Sequence, residues 1–154
     1  MSSVYLLKRE VSSYTDADLL LGVFLSIERA EAARAEYVAR VIGSASDPLA
    51  SQAYRSVSET DVSILRDVEV LGPPVSESSK VWVVSEYAEG FGELLRKFVA
   101  LAADKRDAER FVEQQEVLSD EPFPVYWELD ELEEGVLRFP TTGTPGRGDG
   151  EAAG

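Results

Sequence analysis

The sequence predicts an α+β fold made of two pseudo-repeated ββαβ units, with antiparallel or mixed sheet and helices packed on one face. The first observation behind this is a repeated order of apolar runs. Val4-Tyr5-Leu6-Leu7-Lys8-Arg9-Glu10 returns as Val81-Trp82-Val83-Val84-Ser85-Glu86-Tyr87, and Leu19 to Leu25 returns as Leu94 to Leu101. The second is an Ala/Arg/Glu-rich stretch after each pair, Ile27 to Ala33 and then Lys105 to Phe111. The third is a closing apolar run in each half, Val62 to Val70 and Val125 to Leu129. One duplicated unit explains this order more simply than eight independent elements do.

The first strand is expected over Val4–Val11, followed by a turn around Tyr14-Thr15-Asp16-Ala17-Asp18, whose short polar side chains can bond the local backbone. A second strand covers Leu19–Leu25. Ser26 is a good N-cap for a helix from Ile27 to about Ile42, and Gly43 suits the left-handed position that commonly follows a helix. Ile27, Ala30, Tyr37, Val38 and Val41 share one helical face. Gly43 to Thr60 reads as a loop with a short helical turn near Leu49–Tyr54, and the next strand is expected over Val62–Leu71.

Gly72-Pro73-Pro74-Val75-Ser76-Glu77-Ser78-Ser79 punctuates the chain. The domain reading is a first repeat at 3–72, a linker at 73–79, a second repeat at 80–139 and a disordered tail at 140–154. In the second repeat, strand Lys80–Tyr87 turns through Ala88 to Glu93 into strand Leu94–Leu101. A helical alternative for Gly92–Asp104 has support, because Leu94, Leu95, Phe98 and Leu101 recur near a 3.6-residue period. The repeat favours strand. Asp104 caps a helix from Lys105 to about Val117, and the last strand covers Val125–Leu132. There Val125, Trp127 and Leu129 face one way and Tyr126, Glu128 and Asp130 the other. The tail, rich in Gly, Thr and Pro, lacks the apolar residues to join a core.

Composition narrows the chemistry. The 154 residues suit one compact domain or two small halves sharing a core. No apolar stretch approaches the ~20 residues that span a bilayer, and the N-terminus lacks the pattern of a signal peptide. The absence of cysteine fits a reducing interior, so the expected location is cytoplasmic, in a bacterium. With no histidine either, the commonest general base and metal ligand are missing. No catalytic residue, cofactor or metal site is therefore expected.

The net charge of −14 repels nucleic-acid backbones and anionic membranes. From Phe111 to Leu137 there is no Lys or Arg but there are nine carboxylates, Glu113, Glu116, Asp120, Glu121, Glu128, Asp130, Glu131, Glu133 and Glu134. Their plainest reading is a solvated surface. Their functional reading is a face that meets a basic protein, since charge of one sign steers a complementary partner. Phe91, in the turn Glu89-Gly90-Phe91-Gly92-Glu93, is a candidate anchor for such a partner. Glu128, Asp130 and Glu131 beside Tyr126 also fit cation binding or acid–base work, although a charged strand end accounts for them as well. Lys8-Arg9 and Arg96-Lys97 fall in equivalent regions and suggest a small basic spot.

The first half resembles a family of short bacterial and phage ββαβ domains of unknown function. The resemblance rests on Val4-Tyr5-Leu6-Leu7, Gly22-Val23-Phe24-Leu25-Ser26 and Ile27-Glu28-Arg29-Ala30-Glu31-Ala32-Ala33, and the family's closing strand resembles Tyr126-Trp127-Glu128-Leu129-Asp130-Glu131. It covers about half of the chain and uses common residue types. It implies a small α+β domain, and no catalytic residues carry over from it. The expected function is a non-enzymatic acidic protein-binding module, of inhibitor or immunity type, acting as a monomer or homodimer. The alternative is a sensor that holds a small molecule between the two repeats near Trp82 and Trp127.

Overall fold

The computed structural model describes residues 3–13, 16–45, 47, 49–50, 56–90, 92–118 and 125–139. The first half contains β1 (Tyr5–Arg9), β2 (Leu19–Phe24), α1 (Ile27–Arg40), a 3-10 turn (Glu59–Asp61), β3 (Val62–Leu65) and β4 (Glu69–Leu71). The second contains β5 (Lys80–Gly90), β6 (Glu93–Ala102), α2 (Lys105–Leu118) and β7 (Val125–Glu133). Two sheets form, β2-β1-β3 and β4-β6-β5-β7, antiparallel except where β4 runs parallel to β6.

Alternation along the strands divides the apolar side chains into three layers. Val4, Leu6, Leu20 and Val23 from the first sheet meet Val81, Val83, Phe98, Leu101 and Leu132 from the second, and Val75 joins them. On the outer side of the first sheet, Leu7, Leu21, Phe24 and Val62 pack under Ala30, Ala33 and Tyr37 of α1. On the outer side of the second, Val84, Ala100 and Ala102 pack under Ala108 of α2, with Trp82, Phe111, Val112, Trp127 and Leu129 around them. The order of layers is thus helix, sheet, sheet, helix. The expected placement of helices on one face holds for each sheet taken singly, and the sheets themselves are two, back to back.

The helix starts follow the sequence. Ser26 accepts a hydrogen bond from Arg29 N, and the first turn carries Glu28, whose carboxyl is held below its ordinary range by the Ser26 hydroxyl. Gly92–Asp104 is strand and bend, so the helical alternative there is excluded: pairing with β5 overrides the 3.6-residue pattern.

One expectation is corrected. The strand expected over Val62–Leu71 is broken at Arg66-Asp67-Val68. Its first part pairs with β1, whereas its last three residues cross to the other sheet and pair with β6. Both parts satisfy local strand rules, so the change of sheet leaves no mark on the hydrophobic pattern.

The end of the chain returns to the first half. Gly135 N donates to Val23 O and Arg138 N to Leu21 O, both at 2.8 Å, so the segment after β7 straps the outer edge of β2. Phe139 then stacks on Tyr37, with ring centroids 5.9 Å apart. Gly22 permits this approach: a Cβ there would lie 3.1 Å from Val136 O and closer still to the Phe24 ring. The short helical turn expected near Leu49–Tyr54 and the tail at 140–154 fall wholly or partly outside the described residues.

Candidate functional site

The carboxylates of the second half divide by strand parity and helical face. On α2, Glu109, Glu113 and Glu116 are exposed. On β7, Trp127 and Leu129 turn toward α2, while Glu128 and Asp130 turn to the opposite side. Asp120, Glu121 and Phe91 lie outside the described residues. Among the described residues, no three acidic side chains converge to hold a metal ion.

Glu128 and Asp130 belong to an ionic cluster around Arg96 of β6, whose side chain is almost fully buried. Arg96 donates to Ser85 Oγ at 2.9 Å, to Asp18 O at 3.2 Å and to Glu128 Oε1 at 3.3 Å. Its guanidinium also lies 3.6 Å from Asp130, and it covers the Phe98 ring at 4.7 Å. Tyr87 donates to the same Glu128 oxygen at 2.7 Å. Burial, then the bond to this carboxylate, pushes the Tyr87 phenol well above its ordinary value. Arg138 reaches Asp130 at 3.2 Å. Glu128 and Asp130 are therefore already neutralised in large part by neighbouring arginines.

Glu131 pairs with Lys80 at 3.2 Å, both partners being largely exposed, whereas Glu133 is exposed with no cationic partner among the described residues. Glu134 is 1% exposed and its carboxylate faces inward. It accepts from Leu25 N (2.9 Å), Ser78 N (2.8 Å) and Arg29 (3.1 Å). It ties the start of α1 to the segment between β4 and β5, so it is a clamp within the molecule and adds nothing to an outward face.

The basic spot suggested by Lys8-Arg9 and Arg96-Lys97 does not form. Lys8 pairs with Asp18 at 3.0 Å, Arg96 is occupied as above, and Arg9 is buried. Arg9 makes a two-pronged pair with Asp47 at 3.0 and 2.7 Å and donates to Tyr37 OH at 3.0 Å. Burial alone lowers the Arg9 pKa, but the bonds to Asp47 and Tyr37 outweigh it and leave it raised. Burial likewise raises the Tyr37 phenol. Sequence reasoning missed this triad. Its one local signal is a charged residue at the end of an apolar strand.

Among the described residues, a surface with acids that have no cationic partner lies between α2 and β7. A cavity of about 330 Å³ opens there, lined by Glu109, Val112, Glu113, Trp127 and Leu129. Phe111 meets Trp127 edge to face at 6.3 Å beneath it. Its floor is apolar and two carboxylates stand in its wall.

Comparison with known proteins gives no match among family models, curated proteins or solved structures. The site therefore has to be read from its own chemistry. No helix among the described residues is long and apolar enough to cross a membrane. Trp82 and Trp127 both lie in the outer layer under α2, and the space between the sheets is filled by the Val4, Leu6, Val83 and Leu101 layer.

Proposed function

We propose that the chain is a non-enzymatic acidic binding module that covers a basic surface of a protein partner, in the manner of an inhibitor or immunity protein. The observation that carries this reading is the set of exposed carboxylates on α2 and β7 that have no cationic partner among the described residues, Glu109, Glu113, Glu116 and Glu133. They sit on the second half, where the charge of the chain is also most one-sided. A solvated face needs no apolar floor between its acids; this one has Trp127 and Leu129. A chain without cysteine or histidine fits a binder in a reducing compartment such as a bacterial cytoplasm.

We also infer that the two halves arose by duplication of one ββαβ unit, at 3–72 and 80–139. In each, the first strand is central, flanked by the second and third. Tyr5 pairs with Phe24 as Trp82 pairs with Ala102, and Leu7 with Ile64 as Val84 with Leu129. A bulge follows Leu7 in one and Val84 in the other. Both helices have 14 residues, and the fourth of each, Ala30 and Ala108, is fully buried.

The test of the binding reading is capture from host lysate on immobilised protein, beside a variant with Glu109, Glu113, Glu116 and Glu133 all changed to Gln. A basic protein retained at low salt, released at high salt and lost by the variant supports the reading. Equal retention by both proteins overturns it.

A further inference from the structure

The groove beside β7 is bounded by an open sheet edge, and the molecule treats its other edges differently. The strap at Gly135 and Arg138 bonds to β2. β4 is only three residues long. At β3, Arg34 of α1 reaches over and donates to Val62 O and Glu59 O, both at 2.8 Å. Such devices keep strand edges from pairing with other chains. β7 has nine residues, and among the described residues no strand or strap pairs with its outer side.

The duplication sharpens the contrast. Arg34 is the eighth residue of α1, and the eighth residue of α2 is Val112. Val62 of β3 corresponds in register to Trp127 of β7, since they pair with the equivalent Arg9 and Glu86. Where the first half latches its helix to the third strand through Arg34 and Val62, the second half has Val112 and Trp127, which leave the cavity open.

We infer that this groove receives an extended, basic segment of the partner protein, which adds to the β4-β6-β5-β7 sheet as a fifth strand along β7. Main-chain groups of β7 supply the hydrogen bonds, as in other recognition by strand addition. Every second side chain of the added strand points toward α2, because Trp127 and Leu129, two residues apart, do so on β7. An apolar side chain fits the floor of Val112, Trp127 and Leu129, and lysine or arginine beside it meets Glu109 and Glu113. Charge also opposes the competing occupant, a second copy of this chain: antiparallel pairing of β7 with β7 would bring Glu131 and Glu133, which share one face, against their copies.

This inference rests on the acidic-face reading, and its test separates the two. The probe is a synthetic peptide of repeating Lys-Ser-Val-Ser units, which sets Lys and Val on one face of a strand, compared with the same peptide N-methylated on alternate residues, which keeps the charge and removes the strand-pairing N–H groups. Amide resonances of β7 are followed in the full chain, in Val112→Arg and in the charge-matched control Ala39→Arg on α1. The expected result is a shift of β7 amides by the plain peptide, with binding at least tenfold weaker after N-methylation or in Val112→Arg and unchanged in Ala39→Arg. Equal, salt-sensitive binding of both peptides overturns strand addition and leaves the acidic face standing. Failure of the plain peptide to shift β7 amides overturns the inference, and so does a sedimenting dimer whose interface is β7.

Discussion

Replacing Asp47 by Ala leaves the Arg9 guanidinium stranded in the first half. In the native chain its side chain is 2% exposed and that of Asp47 is 0% exposed, joined by bonds of 3.0 and 2.7 Å. After the substitution Tyr37 OH is the one remaining partner of Arg9 among those three residues, and Leu49 N loses its acceptor as well. Removing one member of a buried pair costs about 3–5 kcal/mol, because the other charge stays desolvated and uncompensated. For a chain of this length a loss of that size lowers the melting temperature by roughly 10 °C. The assay is urea unfolding of the native chain, Asp47→Ala, Arg9→Met and the double variant. The double variant is expected to lose less than Asp47→Ala alone, since it removes the stranded charge. A loss below about 1 kcal/mol for Asp47→Ala would refute the argument, as it would mean that water reaches Arg9.

Two further outcomes follow from the buried polar groups. Glu134→Ala removes the acceptor for Leu25 N and Ser78 N at once, and at about 1–3 kcal/mol per orphaned donor it is expected to destabilise by about 3 kcal/mol; denaturant midpoints check this, and a loss under about 0.5 kcal/mol would show the clamp to be idle. The phenols of Tyr37 and Tyr87 are raised above 10.0 in the folded chain, so their contribution is fully present below pH 10.0 and is lost as pH rises from there toward the folded values. Phenolate absorbance is expected to show a late-ionising component that Tyr87→Phe diminishes; a late component left unchanged by Tyr87→Phe would contradict the Tyr87–Glu128 geometry.

Strand and helix positions were legible in the sequence because they depend on neighbours. Ser26 caps α1 from one residue before it, and alternation places Trp127 and Leu129 opposite Glu128 and Asp130. The roles of charged residues were not legible, because they depend on distant partners. Glu134 belongs to an acidic run in the sequence, yet its partner Leu25 N lies 109 positions away. Arg9 reads as a surface cation beside Lys8, yet Asp47, 38 positions on, holds it inside. The same limit hid the open groove. Nothing near Val112 announces that its counterpart Arg34 closes an edge, and that contrast emerges only once the strand registers align the two halves.

Aligned by strand register, the two halves use their polar residues differently. The first half spends its polar residues inward: Arg9, Asp47 and Tyr37 fix the loop after α1, and Arg34 latches α1 to β3. In the second half the residue matching Arg9 by register is Glu86, and the residue matching Arg34 is Val112, so neither inward device is present. The helix there rests through Ala108 on Val84, Ala100 and Ala102, with its own Phe111 set against Trp127 at the margin. A lone ββαβ unit with an open nine-residue edge would be prone to pair with itself. Packing against the first sheet covers the inner face of the second, and like charges on Glu131 and Glu133 oppose pairing of β7 with a second copy. On this argument the two properties are separable: substitutions at Arg9 or Asp47 change stability, and substitutions at Val112 change binding.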